Sequence, residues 1–215
     1  MAMLESQTLP TEWPARGVRM TEEAFVDWCQ RDDVTRAEWV DGEVIMMAPI
    51  SYDHDRLQWW LRSLLQFFVE ERKLGAVVGP LFTARLTFPD GKVSRRDPDV
   101  MYIRTEQLAH LGRNHFEGAP DLTIEIVSPT SASRDWREKY LEYERAGVKE
   151  YWIVDPLSEQ VEACFRGNSD QFTLMKEDSG RISSTVLPGL FIKPEWLWQK
   201  DLPDVRQILS EMTTK

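Results

Sequence analysis

Only two cysteines, Cys29 and Cys164, occur in the 215 residues. They stand far apart and make no close Cys-x-x-Cys pair, so they supply no metal-ligand motif. Free thiols in a reducing compartment are the simpler expectation than a single disulfide. Long apolar runs are also missing, and no stretch approaches the roughly 20 residues that a membrane helix needs. The first residues lack a basic-then-apolar secretory pattern, so the expectation is a cytoplasmic protein with no membrane partner. Positive charge is scarce: 26 Lys and Arg against 36 Asp and Glu give a formal net charge of −10. That balance opposes non-specific binding to polyanions but leaves room for a local basic patch acting within a Debye length. No Gly-rich phosphate loop, Ser-His-Asp arrangement or zinc-ligand set is found. Ser128 precedes Pro129 and Thr130 and reads as a turn or helix entry rather than a nucleophile.

What is present is an ordinary globular composition, 42% hydrophobic and 29% charged, with nine tryptophans as large anchors. The length suits one domain with a sizeable core. Residues 1–18, with Pro10 and Pro14, read as an arm, 19–200 as the single domain and 201–215 as a tail. Thr21 is placed to cap a short helix reaching about Gln30, with Glu22 and Glu23 at its positive end. Residues 36–46 read as a hairpin turning at Asp41-Gly42. From about Asp53 to Lys73, Leu57, Trp60, Leu61, Leu64, Leu65 and Phe68 make one helical stripe that Gly75 can end. Strands are expected near 77–79, 82–88, 99–103 and 122–127, then a helix from Ser133 to Ala146 stopped by Gly147. Two strands, 151–154 and 160–165, flank Asp155-Pro156, more sheet spans 172–191, and a short helix or tail closes the chain. This order implies a mixed sheet flanked by helices.

Asp99 opens an apolar run through Ile103, and Glu125 interrupts another, Leu122 to Val127. A carboxylate inside a core strand is costly unless a cation, a metal or hydrogen-bond donors compensate it. Strand alternation separates Glu125 from Ile124 and Ile126, so its side chain can face a cleft. Two carboxylates converging from neighbouring strands suit magnesium or manganese, which can activate water and stabilise a phosphorane-like transition state. Lys139, if the following helix folds back over the Glu125 strand, would then orient the water or stabilise the developing negative charge. Asp135 stands four residues before Lys139, and a surface ion pair is the plain alternative for that spacing. His54 continues the helical stripe at its N-terminal end, where a core or capping histidine is the plain alternative to a catalytic one. Lys92, Arg95 and Arg96 precede Asp99, while Arg134, Arg137 and Lys139 follow Glu125. Singly these cations read as solvated charge, and as sets they flank the two acidic strands.

Glu38-Trp39-Val40-Asp41-Gly42-Glu43, His54 and Arg96-Asp97-Pro98-Asp99-Val100 appear in order along the chain. So do residues 119–130 around Glu125, Asp135 to Lys139, Tyr143, residues 146–148, 150–155 and 187–190. Together, from about Met20 to Trp196, the pattern resembles the Uma-two family of restriction-endonuclease-like proteins, a branch of the PD-(D/E)XK nuclease superfamily. The resemblance implies an α/β (α+β) fold with a restriction-endonuclease-like core, a central mixed sheet flanked by helices, extended by the N-terminal helix and hairpin. It implies that Asp99 and Glu125 bind Mg²⁺ or Mn²⁺. Val127 occupies the position of the usual superfamily lysine, and Lys139 is the implied substitute. An early acid, Glu38 in preference to Glu43, is implied as the remaining member. The expected activity is metal-dependent hydrolysis of phosphodiester bonds in DNA, with the resemblance pointing mildly to a homodimer. The alternatives are a non-catalytic nucleic-acid- or protein-binding module on a nuclease scaffold, and a structural dimer with no nucleic-acid role.

Overall fold

Thr21 accepts a hydrogen bond from the Ala24 N–H and starts α1 (Glu22–Cys29), as its capping chemistry predicts. The computed structural model describes residues 18–30, 36–128 and 134–213, so most of the expected arm, Pro129, Thr130 and the Ser133 helix start lie outside the described residues. In the hairpin, β1 (Ala37–Val40) and β2 (Glu43–Met46) pair with Val40 opposite Glu43, leaving Asp41-Gly42 as the turn. Both turn residues have positive φ, 47° and 88°, as a type I′ turn requires.

Ser51 caps α2 (Tyr52–Arg72), which buries the predicted stripe from Leu57 to Phe68. Its end departs from the expectation. Lys73, with φ 56°, supplies the left-handed C-cap, and Gly75 instead opens β3 (Gly75–Val78). A Cβ on Gly75 would lie 2.1 Å from the Ile103 carbonyl oxygen, so the adjacent strand, not the helix, demands glycine there.

Next come β4 (Thr83–Thr87), β5 (Val93–Arg96), β6 (Val100–Arg104), β7 (His115–Glu117) and β8 (Leu122–Ile126). A π-helical turn (Arg134–Lys139) runs into α3 (Tyr140–Ala146), which Gly147 caps. The chain then forms β9 (Glu150–Asp155), β10 (Gln160–Arg166), β11 (Phe172–Leu174), β12 (Ile182–Ser183) and β13 (Phe191–Ile192). Two helices, α4 (Pro194–Leu197) and α5 (Val205–Thr213), follow.

The central sheet has the order β11-β10-β9-β8-β6-β3 and is mixed, because β8 and β9 run parallel through the α3 crossover while the other pairs are antiparallel. Alternation divides its side chains between two cores. Val100, Ile124, Ile126 and Trp152 pack with α2 and α5, whereas Met101, Val127 and Ile153 pack with Tyr143 of α3. A third core joins Phe25 and Trp28 of α1 to Trp39 and Val44 of the hairpin. The architecture is the expected α+β one, a mixed sheet flanked by helices and extended at the N-terminal side.

The hairpin is also part of a second sheet, β2-β1-β5-β4-β7. Its middle strand, β5, has no apolar pattern beyond Val93, yet Ser94 and Arg96 are buried. Reading Arg96 as solvated charge is therefore corrected, because its guanidinium lies between two acids donated by distant segments.

Candidate active site

Glu125 is the fourth of the five residues of β8, opposite Ile153 of β9. Its neighbours Ile124 and Ile126 face α2, so alternation turns Glu125 toward α3. There the Lys139 ammonium lies 2.9 Å from its Oε2, and the Tyr143 hydroxyl donates a 2.6 Å hydrogen bond to its Oε1. Burial, followed by the Glu125 charge, pushes the Tyr143 hydroxyl well above its usual pKa, so it remains a donor. Lys139 closes the π-helical turn and is only 2% exposed. A π turn breaks the ordinary helical register, a feature common where a helix must aim a side chain at a site.

Lys139 also lies 3.5 Å from Oε1 of Glu38, which projects from β1 and is fully buried. The other Glu38 oxygen accepts a 2.7 Å bond from Arg96, and the Asp97 N–H approaches Oε1 at 3.2 Å. Burial alone would raise the Glu38 carboxyl. The Lys139 and Arg96 charges and these hydrogen bonds outweigh it and hold the pKa at about 2. Arg96 closes the network with a bidentate pair to Glu142, both bonds 2.8 Å. Burial opposes the Arg96 charge, but the two glutamates keep its pKa well above the usual arginine value.

Asp99 immediately precedes β6, next in register to Glu125 because Val100 pairs with Ile124. Its carboxylate is nevertheless held from the other layer. Oδ1 lies 3.0 Å from His54 Nε2 and accepts a 2.6 Å bond from Gln58, both on α2, while Oδ2 accepts the Ile126 N–H at 2.8 Å. The backbone thus brings the two acids side by side, and their side chains are gripped by different helices. His54 is the third residue of α2, is buried, and has no hydrogen-bond partner at Nδ1 among the described residues.

Of the other sequence candidates, Glu43 is half-buried on β2 opposite Val40, two register steps from Ile45, the partner of Glu38. The hairpin therefore carries it toward the turn. The Asp135 side chain lies outside the described residues. Asp97 was not singled out by sequence reasoning, although Asp97-Pro98-Asp99 held the signal of two acids one strand step apart. Its carboxyl accepts the Thr83 hydroxyl at 2.8 Å. Burial and the Glu38 charge push its pKa up to about 6, against the pull of that hydrogen bond. Gln58 gave no signal beyond lying one helical turn from His54.

Among the described residues, no three His, Cys, Asp or Glu side chains are grouped to hold a metal. Glu125 on β8 and Asp99 immediately before the adjacent β6 offer only carboxylate oxygens, the donor type a hard divalent cation takes, although their side chains are held from opposite layers.

The chain as a whole is similar to other proteins. In Synechocystis sp., an uncharacterized protein, sll1609, is 27% identical over 139 residues, covering 63% of this chain and 76% of that protein. A crystal structure of a putative nuclease belonging to DUF820 from Anabaena variabilis superimposes with a TM-score of 0.67, covering 83% of this chain and 97% of the other. At 20% identity that likeness is one of fold. Residues 22–195 match the Uma2 family model, described as putative restriction endonuclease, and with most of its length inside that match the chain belongs to the Uma2 family.

Proposed function

We propose that the protein is a metal-dependent endonuclease that hydrolyses phosphodiester bonds in DNA. The observation that carries this reading is the buried Lys139 ammonium 2.9 Å from Glu125, delivered by the helix after the strand. A lysine beside a strand carboxylate is what phosphodiester cleavage needs at the point where negative charge develops. Asp99 and Glu125 would hold Mg²⁺ or Mn²⁺, which supplies Lewis-acid polarisation of the phosphate and a more acidic water. Lys139 neutralises charge on the phosphate oxygens. Tyr143 fixes the orientation of Glu125, and His54 and Gln58 do the same for Asp99. Glu38, itself fixed by Arg96, holds Lys139 in place without touching the substrate. Two such sites in a homodimer would address the two strands of a duplex, a state read directly by light scattering.

Purified protein is expected to cleave DNA only with Mg²⁺ or Mn²⁺ added. D99A and E125A should each abolish cleavage, and K139M should slow it by roughly 10²–10³-fold, the usual effect of losing one charge-stabilising group. Wild-type rates in both acid variants would refute the assignment.

A second reading, a binding module without catalysis, draws on the internal neutralisation of these acids: Asp99 accepts from Gln58 and the Ile126 N–H, and Glu38 from Arg96. Metal titration separates the two. A nuclease site should bind divalent ions through Asp99 and Glu125, and a pure interaction surface should be indifferent to them.

A further inference from the structure

The second sheet ends in a cavity that the catalytic reading leaves unused. Its volume is about 490 Å³, within the range of small-molecule sites. The ends of four strands build it. Asp97 follows β5 and bonds Thr83 at the start of β4, which pairs with His115 at the start of β7, while Arg36 and Ala37 enter from β1. Phe25 of α1 and the exposed Leu81 give it an apolar wall.

Two of its cations form no ion pair with the described residues, although the Arg36 charge acts on the Asp97 carboxyl in the same lining. Arg95 is committed to Glu22 at 2.7 Å, but Arg36 and Arg113 form no ion pair among the described residues. Arg36 Nε is moreover buried without a hydrogen-bond partner, a donor that a ligand oxygen would satisfy. In a chain of net charge −10, two guanidinium groups on one cavity without an ion pair among the described residues stand out. The cavity also adjoins the site just described. Asp97 lines it, the Asp97 N–H bonds Glu38, and Glu38 meets Lys139.

We propose that this cavity is a nucleotide subsite, in which Arg36 and Arg113 hold a phosphate of a polynucleotide strand and Phe25 and Leu81 receive its base. Asp97 of the cavity and Glu38 beside Lys139 are one hydrogen bond apart, so a strand held here lies next to the catalytic lysine, and this last clause rests on the nuclease reading. Guanidinium groups match phosphate oxygens in geometry, and an apolar wall beside them accepts any base by its face. A free nucleotide offers the same chemistry. The strand is favoured because the cavity is separated from the residues that hold Lys139 by a single hydrogen bond, from the Asp97 N–H to Glu38.

The test is binding of a short fluorescein-labelled DNA strand, followed by anisotropy across a salt series in EDTA so that no cleavage intervenes. Expected are weaker binding by R36A and by R113A, about tenfold or more weaker binding by the double variant, and a salt slope lower by about one per arginine. R206A, an exposed arginine on α5, should bind as wild type. Arg113 is exposed, so R113A keeps the test valid should R36A fail to fold. Wild-type binding by R113A and a folded R36A overturns the proposal, as does failure of the wild-type protein to bind any strand. Thymidine monophosphate should compete only at much higher concentration than the strand; equal potency overturns the strand in favour of a free nucleotide. If D99A and E125A cleave normally while the arginine variants bind poorly, the subsite stands and the catalytic assignment falls. If the arginine variants bind and cleave normally while D99A and E125A are dead, the reverse holds.

Discussion

Asp97 and Glu38 are one hydrogen bond apart, yet their surroundings move them in opposite directions. Glu38 has Arg96 and Lys139 beside it and is pulled from the ordinary 4.5 to about 2. Asp97 is buried with the Glu38 charge near and rises from 3.8 to about 6. The consequences for stability differ in sign. Between pH 3.8 and 6 the folded protein holds the Asp97 proton more tightly than the unfolded chain, so stability falls as pH rises through that window. The Glu38 contribution is fully present above pH 4.5 and is lost as pH falls toward 2. D97N removes the first effect alone, and the Thr83 hydroxyl can still donate to the amide oxygen. The variant is expected to be more stable than wild type at pH 7 by on the order of 3 kcal/mol, with the difference vanishing below about pH 4. Urea titrations at several pH values check this. A difference that does not change with pH would mean that Asp97 ionisation is not its source.

At the scale of elements, the turn chemistry and the α2 stripe were legible because their causes are local. Asp41-Gly42 carries its own backbone requirement, and the stripe needs only helical spacing. β5 was not legible, since Arg96 is buried by partners 46 and 58 residues away in sequence, and no local pattern announces a paired arginine. The Lys139–Glu125 contact could be expected from the family pattern. The capture of Asp99 by α2 could not, because it depends on how that helix lies across the sheet. Gly75 shows the same limit, its sequence reading as a helix stop and its structure as a strand contact. G75A is therefore expected to force β3 away from β6, at a cost of about 3 kcal/mol or more. The shift would propagate to α2, whose Lys73 cap is two residues away, and through it to His54 and Gln58. As a comparison, a Cβ on Gly91 meets nothing within 4 Å, so G91A should cost only the roughly 1 kcal/mol of a left-handed residue. Denaturation midpoints for the two variants test the difference. Equal losses would mean that the strand contact exerts no special demand.

Across the whole molecule, the charged network lies where the two sheets meet. Glu38 and Arg96 belong to the five-stranded sheet, Glu125 to the central one, and Glu142 and Lys139 to the helix between them. Lys139 joins Glu38 to Glu125, and Arg96 joins Glu38 to Glu142. A hydrophobic seam could bind the sheets as well, because desolvating ions offsets much of their attraction. An ionic seam has a different consequence, namely that both layers must be in place before Lys139 is held. R96M leaves the Glu38 charge buried beside only Lys139 and is expected to cost about 3–5 kcal/mol. E38Q removes that stranded charge, so R96M/E38Q should recover part of the loss, with a coupling of about 0.5–3 kcal/mol. Hydrogen exchange gives the spatial readout: in R96M the amides of β1 and β5 should exchange faster, ahead of those of β8 and β9. Uniform acceleration across both sheets, or purely additive losses in the double variant, would place the junction between the layers somewhere other than Arg96.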